Sequence, residues 1–213
     1  MIQNKQDMYR EYLNIFPVLI QTTELELNID SLIEFCYEMK RKNEKGVEIS
    51  NIGGWQSNNV INETHTEFVK LLNEISAAVE VYHEDIKFKK TVKQKIANIW
   101  ININQKGHSN EYHKHPFACL SGVFYLTKVK SPIVFRHPQL DMNLYYWDDS
   151  LIEEWNYINS YEIKLVLEPN TLIIFPAWIW HKVIMSKEDT DRISLSFNTY
   201  HRSDEAQALK MLH

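Results

Sequence analysis

The stretch Lys95-Ile96-Ala97-Asn98-Ile99-Trp100-Ile101-Asn102-Ile103-Asn104 decides the fold class. From Lys95 the apolar residues recur every second position: Ile99, Ile101 and Ile103 point one way, and Asn98, Trp100, Asn102 and Asn104 the other. A period of two belongs to a pleated strand with one face against a core. Downstream, strand-like runs follow at Phe117 to Thr127, Ile133 to Arg136, Tyr161 to Leu167, Thr171 to Phe175, Lys182 to Met185 and Arg192 to Tyr200. Short strands in series with no helix between most of them predict an antiparallel barrel or sandwich rather than βαβ units. The segment His137 to Ser160 is too long for a tight hairpin and carries Tyr145, Tyr146, Trp147, Trp155 and Tyr157, which predicts a lid or binding loop or an aromatic-packed excursion.

Upstream the period lengthens. Leu32, Phe35, Cys36 and Met39 follow helical spacing behind Asp30 as candidate N-cap, in a helix that runs into charged residues closing at Gly46. A second helix opens with Thr64 and Glu67 in capping-box register and aligns Phe68, Leu71, Leu72, Ile75, Val79 and Tyr82 on one side. Both helices need a surface to cover. With no repeat and no linker-like stretch, residues 1–213 read as one domain, with 1–94 a mainly helical buttress and 95–213 the β core.

The 213 residues, 44% hydrophobic and 24% charged, suit a globular domain with a real core. A formal net charge of -5 gives no basic excess, so nucleic acid is not an expected partner, and the lysines from Lys87 to Lys95 read as a solvated edge. Cys36 and Cys119 stand far apart, which fits a reducing cytoplasm and excludes a disulfide framework. Met1 to Tyr12 is polar, and no run of about 18 apolar residues occurs, so neither secretion nor membrane spanning is expected.

Three features carry chemistry. His113-Lys114-His115 puts two imidazoles on one face of an extended strand, where both can reach one ion. His181 follows Phe175-Pro176-Ala177-Trp178-Ile179-Trp180, where a strand stops at proline and the chain returns with a third imidazole. Arg192-Ile193-Ser194 places a guanidinium and a hydroxyl on one face, a fork suited to a carboxylate. Glu111, two residues before His113, is an alternative acidic ligand.

This order resembles the 2-oxoglutarate/Fe(II)-dependent oxygenases, and more narrowly a bacterial and phage group with a His-x-His metal motif. The resemblance runs from Phe16-Pro17 and Ser50-Asn51-Ile52-Gly53-Gly54-Trp55-Gln56-Ser57 through His113-Lys114-His115-Pro116 and Leu120-Ser121-Gly122-Val123-Phe124-Tyr125-Leu126. It continues through Phe175-Pro176 and His181 to Arg192-Ile193-Ser194-Leu195-Ser196-Phe197-Asn198. It implies a double-stranded β-helix (jelly-roll) core buttressed by helices, with Fe(II) on His113, His115 and His181. It also implies 2-oxoglutarate on Arg192 and Ser194, with Asn104 and Tyr125 as further polar contacts. The implied reaction is hydroxylation of a small-molecule or side-chain substrate, with release of succinate and CO₂. The wider superfamily has a carboxylate where His115 stands, so this chain departs from it there.

Two other readings stay open on the residues alone. Gly107 to His115 has the Gly-x5-His-x-His start of a cupin signature, which would be a three-histidine iron dioxygenase without 2-oxoglutarate; its expected acid after His115 is missing. The third is a non-catalytic metal-binding module.

Overall fold

In the computed structural model, residues 11–128, 130–139 and 150–201 are described. Tyr145, Tyr146 and Trp147 of the predicted aromatic loop lie outside them, whereas Trp155 packs edge-on against Tyr161 at 5.7 Å.

Eleven strands among the described residues form two antiparallel sheets. They are β1 (Gln21–Glu24), β2 (Asn51–Ile52), β3 (Trp55–Gln56), β4 (Gln94–Asn104), β5 (Ser109–His113), β6 (Leu120–Tyr125), β7 (Ile133–Arg136), β8 (Glu162–Leu165), β9 (Thr171–Pro176), β10 (His181–Val183) and β11 (Arg192–His201). One sheet runs β1-β9-β6-β11-β4-β3 and the other β2-β5-β10-β7-β8. This is the expected double-stranded β-helix, in which β4 to β7 and then β8 to β11 alternate between the two sheets. The predicted runs at 133–136, 171–175 and 192–200 match β7, β9 and β11 to within a residue. The run from Phe117 shrinks to Leu120–Tyr125, because Phe117 sits in a turn with φ of 68°.

The alternation along β4 separates two cores. Ile99, Ile101 and Ile103 join Leu195 and Phe197 of β11 beneath α1 (Ile29–Lys42) and α2 (Thr66–Asp85), which contribute Leu32, Phe35, Phe68, Leu71 and Ile75. The Phe35 and Phe68 rings stack at 5.0 Å. A second cluster, including Val123, Tyr125, Ile133, Phe135, Ile173 and Phe175, fills the space between the sheets. The helices thus cover one face of the larger sheet, and its other face is left for the site. Gly122 permits this packing: a Cβ there would run into the ring of Phe197.

Both helix starts differ from expectation. Asn28, not Asp30, caps α1, its Oδ1 accepting from the Ser31 N–H at 3.1 Å; Asp30 lies inside the first turn, where a negative charge suits the positive end of the helix. The Thr64/Glu67 capping box does not form. His65 occupies the cap without a side-chain bond, and Glu67 instead accepts from the Asn28 N–H at 2.9 Å and from Lys70 at 2.9 Å. Glu67 therefore ties the two helix starts together, a long-range job that local capping rules do not foresee. α1 also stops at Lys42, ahead of the predicted close at Gly46.

Candidate metal centre

Strands β5 and β10 lie side by side with His113 directly opposite His181. Their rings come within 4.3 Å, centroid to centroid, and His115 completes a triangle at 5.1 Å and 5.2 Å. One ring nitrogen from each lies within 4.8 Å of the others, the one such cluster of metal-ligating side chains among the described residues. His115 arrives differently from the strand-face expectation. β5 ends at His113, and His115 is pinned by its own N–H donating to the Ala177 carbonyl at 2.9 Å, against the turn that leads into β10.

The protonation pattern suits metal binding. Nδ1 of His113 meets the Glu111 carbonyl at 2.7 Å and Nδ1 of His181 meets the Ile179 carbonyl at 3.0 Å. A carbonyl only accepts, so both Nδ1 atoms carry the proton and both Nε2 lone pairs are free. Burial disfavours the charged ring: it holds His115 down at about 2 and His181 at about 3, each deepened by neighbouring imidazoles, and it lowers His113 too. Three neutral imidazoles converging on one point suit a divalent transition metal.

Glu111 is exposed and outside this cluster. The reason is a bulge: β10 advances from His181 to Val183 while β5 covers His113 to Asn110, so strict alternation fails between them. Asn110 therefore lines the cavity with His113. Tyr112 turns to the outer face, where its hydroxyl donates to Glu162 and the Arg136 guanidinium lies over its ring at 3.7 Å.

The histidines line a cavity of about 720 Å³ between the sheets, and Arg192 and Ser194 line it as well. Arg192 is 2% exposed. It donates through Nη1 to Ser194 Oγ at 3.5 Å and through Nη2 to the Tyr125 hydroxyl at 3.4 Å, while its buried Nε has no partner. No ion pair among the described residues includes it. Burial pushes the Tyr125 phenol up against the lowering influence of Arg192, so it stays a neutral donor.

Asn104 sits elsewhere. It faces Arg192 across the β4–β11 ladder, but its Nδ2 donates to Asn110 Oδ1 at 3.0 Å and it is not part of the cavity wall. A Cβ on Gly54, whose φ is +72°, would collide with the Asn104 carboxamide, so this corner is built for close backbone approach. Sequence reasoning also passed over Trp100 as a site residue; its ring lies 5.7 Å from that of His115, and its place on the Asn-bearing face of β4 was the available signal.

Residues 98–198 match the family model described as "Putative 2OG-Fe(II) oxygenase". No curated protein is matched in sequence. Among solved structures, the fold is similar to a Pseudomonas putida prolyl-4-hydroxylase at 12% identity, covering 86% of this chain and 92% of that one with a TM-score of 0.58. It is also similar to a prolyl hydroxylase from Trichoplax adhaerens, solved with a hypoxia inducible factor peptide, at 10% identity, 88% and 86% coverage and a TM-score of 0.61. A third likeness is HygX from Streptomyces hygroscopicus, solved with nickel and 2-oxoglutarate bound, at 7% identity, 85% and 82% coverage and a TM-score of 0.56. The matched stretch, residues 98–198, holds the histidine cluster and most of the jelly-roll core, and that part of the chain is similar to the 2OG-Fe(II) oxygenases.

Proposed function

We propose that His113 and His181 through Nε2, and His115 through one ring nitrogen, hold Fe(II), and that Arg192, Ser194 and Tyr125 hold the far carboxylate of 2-oxoglutarate. The protein then acts as a hydroxylase on a small-molecule or side-chain substrate, releasing succinate and CO₂. The bound iron would supply the redox chemistry that couples O₂ and 2-oxoglutarate to substrate oxidation. The rest is the chain's own work. The carbonyls of Glu111 and Ile179 fix the imidazole tautomers, and Phe135 and Phe175 wall off His181 with centroids at 6.0 Å and 4.9 Å. The reading takes 1–213 as one oxygenase domain and places it in the cytoplasm. Two cysteines that form no disulfide support that placement, and no described helix is long and apolar enough to cross a membrane.

The observation that carries this reading is Arg192, a buried guanidinium with an unpartnered Nε in the same cavity as three imidazoles. A buried charge without a counter-ion is costly, and a planar carboxylate offers the two acceptors its fork lacks. A dianionic co-substrate also offsets the extra positive charge left when a histidine replaces the commoner acidic ligand. A three-histidine iron centre that ignores 2-oxoglutarate gives Arg192 no task. The test is anaerobic titration of the Fe(II) protein with 2-oxoglutarate, followed by its visible charge-transfer absorption. Saturable binding that Arg192→Ala abolishes supports the assignment; wild-type protein with no 2-oxoglutarate binding refutes it.

A further inference from the structure

Of the side chains lining the cavity, two carry a buried polar atom with no partner: Arg192 Nε and Asn98 Oδ1. The first is a donor awaiting an acceptor, and the co-substrate provides one. The second is an acceptor awaiting a donor, and 2-oxoglutarate has none to give. Asn98 pairs with Asn198 across the β4–β11 ladder, six residues along β11 from Arg192, or roughly 20 Å at strand rise. The histidine cluster lies between, since Trp100, the next cavity-facing residue of β4, stands 5.7 Å from the His115 ring. Exposed Lys114 and Pro116 line the cavity together with Asn98, whereas Arg192 itself is buried. The ladder is also irregular here: it steps from Asn198↔Asn98 to Thr199↔Ile96, leaving Ala97 as an extra residue that lines the cavity beside Asn98.

Three of the neighbouring amides are already engaged. Asn59 bonds Ala97, Ile61 and Ile99; Asn102 donates to Ser196 at 3.0 Å; and Asn198 accepts from Ser121 at 2.7 Å. The other side of Asn198 acts on the hydroxyl of Tyr200, which also lines the cavity. With the Asn198 amide donating to its oxygen, the Tyr200 O–H is left to donate into the cavity. What this end lacks is therefore one donor for Asn98 and one acceptor for Tyr200. Among the described lining residues, Lys114 and Arg192 are the charged groups at neutral pH and there is no carboxylate, so none of them complements an ammonium.

We infer that the Asn98 end of the cavity is a prime-substrate subsite for an uncharged amide, with Asn98 Oδ1 accepting its N–H, Tyr200 donating to its carbonyl, and Trp100 packing against the adjoining apolar part. An amide carries a donor and an acceptor on separate atoms and leaves no third polar group to satisfy. A carboxylate lacks the donor. A polyol would strand further hydroxyls against Ala97, Trp100 and Pro116, because Asn59, Asn102 and Asn198 are committed within the chain. This assignment rests on the proposed oxygenase reading, and it deepens that reading by naming the group presented next to the metal.

The test is saturation-transfer NMR on the full chain, metal-free and loaded with diamagnetic Zn(II). The probes are a pooled library of uncharged, N-acetylated and C-amidated tetrapeptides, with neutral trisaccharides in parallel. The peptides are expected to bind wild-type protein in both states, and Asn98→Leu and Tyr200→Phe should each weaken that binding by roughly 3- to 10-fold, the worth of one neutral hydrogen bond. Tyr200→Phe keeps the ring, and thermal unfolding of both variants checks that each is folded. Peptides that do not bind, that bind Asn98→Leu and Tyr200→Phe as tightly as wild type, or that are outcompeted by trisaccharides overturn the assignment. A 2-oxoglutarate titration on the same wild-type protein reads out the oxygenase proposal separately, so failure of one is distinct from failure of the other.

Discussion

His113 and His181 face each other across the β5–β10 ladder with ring centroids 4.3 Å apart, each with Nδ1 held by a carbonyl two residues earlier in its own chain segment. Two lone pairs are thus aimed by backbone that the sheet keeps rigid, and the third comes from His115 in a turn.

If all three imidazoles are ligands, His113→Ala, His115→Ala and His181→Ala should each lower Fe(II) affinity by more than about 100-fold, beyond what outer partners of a ligand typically cost. His115→Asp should restore binding by recreating the two-histidine, one-carboxylate face. Glu111→Gln should leave affinity at the wild-type level, since the contact of Glu111 with the site is through its carbonyl. Metal titration with a competing chelator measures all five. Loss of iron in Glu111→Gln with retention in His115→Ala would reverse the ligand assignment.

At Arg192 the geometry of the fork matters as much as its charge. Arg192→Ala should weaken 2-oxoglutarate binding by about 2 to 5 kcal/mol while sparing Fe(II) affinity, and Arg192→Lys should recover only part of the loss because an ammonium cannot bond bidentately. Tyr125→Phe, which removes one donor near the same carboxylate, should cost about 0.5 to 1.5 kcal/mol. Calorimetric titration in the presence of metal gives each value; equal losses in Arg192→Lys and Arg192→Ala would mean that charge is irrelevant there.

The metal-free protein should be acid-sensitive in a defined window. His113, His115 and His181 have lowered values when folded, to about 2 for His115 and about 3 for His181, so the unfolded chain binds more protons below the ordinary 6.5. Stability contributed by the neutral rings is fully present above 6.5 and declines as pH falls below it. Urea denaturation of metal-free protein at pH 7.5 and pH 5 should show this decline, and it should shrink in His115→Asn. An unchanged difference in that variant would place the acid sensitivity elsewhere.

Gly122→Ala tests the packing that supports the site. The new Cβ meets the Phe197 ring, and overpacking of this kind costs about 1 to 3 kcal/mol. Because β6 also carries Tyr125 and β11 carries Arg192 and Ser194, the variant should lose 2-oxoglutarate affinity as well as several degrees of thermal stability. Full affinity together with lowered stability would show that the ladder absorbs the strain locally.

The alternation of isoleucine and asparagine from Asn98 to Asn104, the helical stripes through Leu32 and Phe68, and the Arg192/Ser194 pairing were determined by the sequence itself, because each depends on a residue's own neighbours along the chain and on a fixed geometric period. The histidine cluster was legible in the same way, as types and order. Other features required the tertiary structure. β1, β2 and β3 are too short to carry a period and exist through their partners: β1 on β9, β2 on β5 and β3 on β4. The bulge that removes Glu111 from the site and admits Asn110 arises from how β5 meets β10, and Glu67 leaves its own helix cap because Asn28 lies within reach. Asn98 and Arg192 stand out only when every partner is counted. Whether a buried polar atom is satisfied depends on neighbours up to a hundred positions away in sequence, which only the folded chain brings within hydrogen-bonding distance.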